Sequence, residues 1–82
     1  MLGEHHHDLS KEFPEYKELI HTLKGSHAHF AKLCNQYEDI DKEVYRIEEQ
    51  IESVSDSHLE ELKKRRLALK DEIFAMLTNA SQ

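Results

Sequence analysis

FAKLCNQYEDIDKEVYRIEEQIESV, residues 30–54, decides the fold. Its larger apolar residues, Phe30, Leu33, Tyr37, Ile40, Val44, Ile47, Ile51 and Val54, recur at alternating intervals of three and four. That spacing holds side chains on one stripe of a long helix. With Phe30, Tyr37, Val44 and Ile51 at heptad position a, Leu33, Ile40, Ile47 and Val54 take position d, and Lys32, Glu38, Asp39, Lys42, Glu49 and Glu52 lie away from the stripe.

The pattern breaks in SVSDSHLEEL, residues 53–62, where Ser53, Ser55, Asp56 and Ser57 favour side-chain hydrogen bonds to the backbone over continued helix. Ser57 with Glu60 three residues on reads as a capping box for a second helix, and Asp56 is an almost equal candidate. That helix repeats the intervals with Leu59, Arg66 and Ile73 at position a and Leu62, Leu69 and Met76 at position d. Folding the two antiparallel pairs Leu59 with Val54, Leu62 with Ile51, Arg66 with Ile47, Leu69 with Val44, Ile73 with Ile40 and Met76 with Tyr37, so that every pair of numbers sums to 113. Charges agree: at position e, Glu48 faces Lys63 and Asp41 faces Lys70, although Glu43 falls near Glu72. Arg66 lays its stem over Ile47 and sends its guanidinium to solvent as a register-setting polar residue.

Working outward, the seam runs backward from Phe30 through Ser26, Leu23, Leu19 and Tyr16, beyond the reach of the second helix. Pro14 suits the first turn of a short helix over about 14–24, with Gly25 as its C-cap and Ser26 as the N-cap of a helix over 26–53; the alternative is one bent helix from Pro14 to Ser53. The second helix, over 57–78, carries Leu67, Phe74 and Leu77 off its seam. Two unsatisfied apolar surfaces therefore need cover, either by folding Leu19, Ile20 and Leu23 back onto Leu67 and Phe74 or by contact with another copy. The expected architecture is all-α: an antiparallel coiled-coil helical hairpin over 13–78 with a short N-terminal helix or helical extension, a flexible His-rich segment over 1–12 and a tail over 79–82.

Bulk composition fits this reading. Eighty-two residues make one small domain, too short for the deep cleft most enzymes enclose. Two Gly, one Pro, no Trp and 34% charged residues suit long helices better than hairpin-rich sheet. The longest unbroken apolar run, Ile73 to Leu77, is far short of a membrane span. Cys34 has no partner for an internal disulfide, which fits a reducing, cytoplasmic setting, where a bridge between chains would be an oxidation artefact.

The segments EFPEY, HAHFAKLCNQYEDIDKEVYRIE and LKKRRLALKDEIFAML together resemble the YdcH-like family of small bacterial proteins, a domain of unknown function. The resemblance spans about residues 12–77 and is carried by Phe13-Pro14-Glu15, His29-Phe30, Tyr37, Asp41, Glu43, Leu67 and Leu69-Lys70-Asp71-Glu72. It implies a bacterial cytoplasmic helical hairpin and implies no activity. The head EHHHD, residues 4–8, lies outside it.

Functional chemistry is sparse. His5, His6, His7 and Asp8, with His27 and His29, invite a metal reading, but consecutive histidines without a Cys-x-x-Cys partner or a fixed second layer of hydrogen bonds bind metals adventitiously. The run Lys63-Lys64-Arg65-Arg66 invites nucleic acid; a net charge of -6 and the eight acids against three bases in residues 31–56 argue that these cations already have an acidic partner. Carboxylates at helical spacing on solvated faces confer solubility, and no phosphate-cradling loop or nucleophile motif occurs. No catalytic residue, cofactor, metal ligand or small-molecule substrate is expected. The remaining expectation is a small protein that works by protein–protein contact or self-association, with Tyr16, Leu19, Ile20, Leu23, Leu67 and Phe74 as the contact surface, and with nucleic acid at 63–66 or metal at the N-terminus as alternatives.

Overall fold

The structure is a computed structural model that describes residues 9–49 and 54–81. Among these the chain is all-α: α1 (Leu9–Glu12), a 3-10 turn (Pro14–Tyr16), α2 (Lys17–Ser26), α3 (Ala28–Glu48) and α4 (Asp56–Ala80). The molecule measures 42 × 25 × 17 Å along its principal axes.

Leu9 opens a single helical turn whose carbonyl accepts from the Phe13 N–H at 2.9 Å, and Pro14, with its fixed φ, starts the 3-10 turn that leads into α2. The segment expected to be flexible through residue 12 is therefore structured from Leu9, which is buried together with Phe13; residues 1–8 lie outside the described residues. Gly25 and Ser26 do not make the break. Both are helical, the Ser26 hydroxyl donating back to the Thr22 carbonyl at 2.9 Å, and the break falls at His27, whose backbone is extended (φ -127°, ψ 103°). His27 serves both helices. Its N–H closes α2 on the Leu23 carbonyl at 2.8 Å, while its Nδ1 accepts the Phe30 N–H at 3.2 Å and so caps α3.

Eight α3 residues are buried: Phe30, Leu33, Tyr37, Ile40, Val44 and Ile47 of the expected stripe, and Cys34 and Asp41 at position e beside it. In α4 the buried residues are Leu62, Ile73 and Leu77. Leu77, expected off the seam, is also at position e and is fully buried. At Cys34 and Leu77 the stripes widen to position e because a third element, the N-terminal arm (Leu9–Ser26), covers that edge; a helix packed on two sides needs a broader apolar face than a two-stranded seam.

The core divides in two. Leu9, Phe13, Ile20, Phe30, Leu33, Cys34, Tyr37, Ile73 and Leu77 form one cluster, with Tyr16, Leu19, Leu23, Leu69 and Met76 packed against it. Ile40, Val44, Ile47 and Leu62 form the other, flanked by Leu59 and Leu69. The expected layer of Ile73 on Ile40 is not formed within either: Ile73 belongs with Tyr37 and Ile40 with Leu62. Contacts between α3 and α4 run in opposite sequence order, from Glu48–Lys63 through Asp41–Arg66 to His29–Glu72.

At the connection, α3 ends at Glu48, short of the expected Ser53; residues 50–53, including Ile51, lie outside the described residues. Val54, expected opposite Leu59, is exposed. Ser55 caps α4 by accepting from the His58 N–H at 3.2 Å, ahead of the Asp56 and Ser57 expected there. This start leaves Asp56 in the first turn, where its charge complements the helix dipole.

Candidate interaction surface

Between the two core clusters lies the one charged residue buried among the described residues, Asp41, whose Oδ1 accepts from the Arg66 guanidinium at 3.0 Å. Arg66 is thus directed inward to a carboxylate, where the sequence suggested a solvent-directed head. Its partner is the residue expected to face Lys70. Lys70 turns instead to the N-terminal arm: its Nζ donates to Glu12 at 2.6 Å and sits 5.8 Å from the centre of the Phe13 ring, a combined ion pair and cation–π contact. Glu48 does meet Lys63, at 3.1 Å. Of the expected Glu43–Glu72 pair, Glu43 lies 3.9 Å from His58 and Glu72 lies 3.7 Å from His29.

The six residues expected at a contact surface separate into two groups. Ile20 is buried, and Tyr16, Leu19 and Leu23 are half-buried against the first core cluster. Phe74 lies within their reach: its ring stacks on Phe13 with centroids 5.2 Å apart and meets Tyr16 edge-on at 6.2 Å. Leu67 stays apart from them, 59% exposed beside Phe74 at 42%. These two are seven residues apart on α4 and therefore share one face. Leu67 borders a shallow cleft with Tyr37, Lys63, Arg66 and Lys70, and Lys64 and Arg65 are exposed next to it.

Sequence reasoning missed Leu9, took Phe13 only as a carrier of the family resemblance, and left Leu77 off the seam, whereas all three are buried. The spacing of Leu9 and Phe13, four apart, was the available signal, as was the coincidence of Cys34, Asp41 and Leu77 at position e. Among the described residues no three His, Cys, Asp or Glu side chains are placed to hold a metal ion, and His5 to Asp8 lie outside them. No helix among the described residues is long and apolar enough to cross a membrane.

Cys34 is fully buried, and burial pushes its thiol up from 9.0 to about 11, with Lys24 opposing and Glu38 adding to the shift. The folded state holds the thiol proton more tightly than the unfolded chain does. The resulting stabilisation is whole below about pH 9 and is lost as pH rises toward 11, where it has fallen by about 2 kcal/mol. We expect urea titrations of the protein and of Cys34→Ala to diverge over that interval, and a thiol reagent at pH 8 to label the native chain at least about 100-fold more slowly than the unfolded one. Equal labelling rates would contradict the burial.

The family model of "Protein of unknown function (DUF465)" matches residues 30–77, which run from Phe30 in α3 to Leu77 in α4. The "Uncharacterized protein YdcH" of Escherichia coli K12 is 33% identical over 69 residues, covering 84% of this chain and 93% of that protein. The protein of the same name from Shigella flexneri matches to the same extent. No solved structure matches the chain.

Proposed function

Given that the chain belongs to the DUF465 family of proteins of unknown function, we propose that it is a non-catalytic cytoplasmic interaction module. In this reading α3 and α4 act as an antiparallel coiled-coil hairpin that displays the outer face of α4 to a protein partner. The observation that carries it is the pairing of exposed Leu67 and Phe74 on one face of α4, while thirteen other hydrophobic residues are buried. Singly exposed hydrophobics are ordinary on a surface; two in helical register beside a row of cations supply anchors for a groove-bound helix. Lys64 and Arg65, exposed beside Leu67, favour an acidic amphipathic helix as partner.

The inverse order of the α3–α4 ion pairs supports the hairpin, and the buried, protonated thiol of Cys34 is compatible with a reducing cytoplasm. The basic run gives less support to nucleic acid, since Lys63 and Arg66 already hold Glu48 and Asp41. A photo-crosslinking amino acid at position 67 in living bacteria tests the reading. The expected result is a discrete protein adduct that weakens at least about 5-fold when Phe74→Ser is added, as for loss of a contact worth about 1 kcal/mol or more. Adduct formation indifferent to Phe74→Ser, or none at all, would remove the α4 face from consideration.

A further inference from the structure

We propose that Leu9–Ser26 is an exchangeable arm, which docks on the α3–α4 body of a second copy of this chain and so forms an arm-exchanged dimer. This inference rests on the core beneath the arm; it shares Lys70 and Phe74 with the α4 face but needs neither the exposed Leu67 nor an outside partner. In the chain itself, Leu9, Phe13 and Ile20 of the arm complete a core whose other walls are Phe30, Leu33, Cys34, Tyr37, Ile73 and Leu77. The groove's occupant is therefore known, and a second copy carries the same arm. Its address is read by side chains of α4, through Lys70 on Glu12 and Phe74 on Phe13.

The arm hangs on one residue. Helical bonds approach His27 from both sides, His27 N–H to Leu23 at 2.8 Å and Ala31 N–H to the His27 carbonyl at 3.0 Å, and only the extended φ and ψ of His27 separate α2 from α3. Turning that residue to the α region would fuse them into one helix from Lys17 to Glu48, roughly 48 Å long. No proline interrupts this stretch, and a Cβ on Gly25 would meet nothing within 4 Å. Fusion lets the N–H groups of Ala28, His29 and Phe30 bond the carbonyls of Lys24, Gly25 and Ser26, in place of the single cap that His27 Nδ1 gives Phe30.

A fused helix carries Leu9, Phe13 and Ile20 away from their own body and leaves two apolar surfaces bare in each chain. Mutual exchange covers both with the contacts already seen within one chain, so the dimer is opposed mainly by association entropy and by loss of the His27 caps. Exchange of an identical element through a short hinge is a low-cost route to dimers.

The test is sedimentation equilibrium of the full chain at 10 to 200 µM (~20-fold range) with hinge variants, alongside carbodiimide cross-linking of mixed isotope-light and isotope-heavy chains. His27→Ala removes the cap and is expected to tighten dimerisation about 5-fold per hinge, or about 25-fold for a dimer with two. His27→Asp keeps an acceptor there and is expected to stay at or below the parental affinity. In an equilibrated equal mixture of light and heavy His27→Ala chains, at a concentration where they are fully dimeric, about half of the Glu12–Lys70 links should join light to heavy chains. Leu9→Ser with Phe13→Ser should abolish the dimer formed by His27→Ala. A helical His27→Ala that stays monomeric, Glu12–Lys70 links confined to chains of one isotope, or a dimer that survives loss of both arm anchors would each overturn the exchange. So would a dimer dispersed by Leu67→Ser, which would place self-association on the α4 face instead.

Discussion

Phe30→Ala is expected to lower the unfolding free energy by about 4 kcal/mol, within the usual range for deleting a buried phenylalanine ring. Phe30 has no exposed surface and stands where the three walls of the larger core meet: Leu9, Phe13 and Ile20 from the arm, Leu33 and Tyr37 from α3, Ile73 and Leu77 from α4. A cavity at that junction cannot be closed by moving one element, since each wall is tied to the other two. Domains of this size have only about 4 to 12 kcal/mol in total, so the variant should be near its unfolding midpoint in water or a few molar urea below the parent. Urea denaturation followed by circular dichroism measures the difference, with Leu67→Ala as the control; at an exposed site that change should stay within about 0.5 kcal/mol. A Phe30→Ala cost below about 1 kcal/mol would contradict the three-walled core.

The second large effect concerns Asp41 and Arg66. Their side chains are 7% and 14% exposed, so neither is well solvated when its partner is removed. Arg66→Met should destabilise by about 3 kcal/mol, because it leaves a buried carboxylate with its main counter-charge gone. Asp41→Leu should cost less, about 1 to 2 kcal/mol, since the long arginine stem can carry its head to water. Combining the two should return stability to within about 1 kcal/mol of the parent, because desolvation of the pair offsets most of its attraction. Urea curves for the four proteins of this double-mutant cycle give the coupling directly. Additive losses would mean that the two charges act separately. The exposed Glu48–Lys63 pair, by comparison, should contribute only about 0.2 to 1 kcal/mol.

The intervals of three and four from Phe30 to Ile47 were enough to locate α3 and its inward face, and the same intervals located α4. The Glu48–Lys63 contact followed from position e alone. Where reading stopped short, the reason differs by residue. Ser55, Asp56 and Ser57 are all competent caps, and a difference of one residue in where α4 starts depends on the path of the chain before it. Histidine caps helices less often than serine, so Ser26 beside Gly25 drew the boundary away from His27. Tyr16, Leu19, Ile20 and Leu23 were recognised as needing cover, but spacing does not say whether cover comes from the same chain or from another.

What the sequence determined by itself is local: that the chain is helical, roughly where its helices run, and which stripe of each is apolar, because a 3.6-residue turn converts spacing into a face without reference to anything distant. The tertiary structure decided which additional edge is buried and which charges pair. Leu77 and Cys34 become core, and Lys70 turns to Glu12, 58 residues away, only because the arm lies along position e of both long helices. Arg66 finds Asp41 rather than water where α4 packs against α3: the depth of a side chain depends on every element packed around it, and that neighbourhood has no period in the sequence.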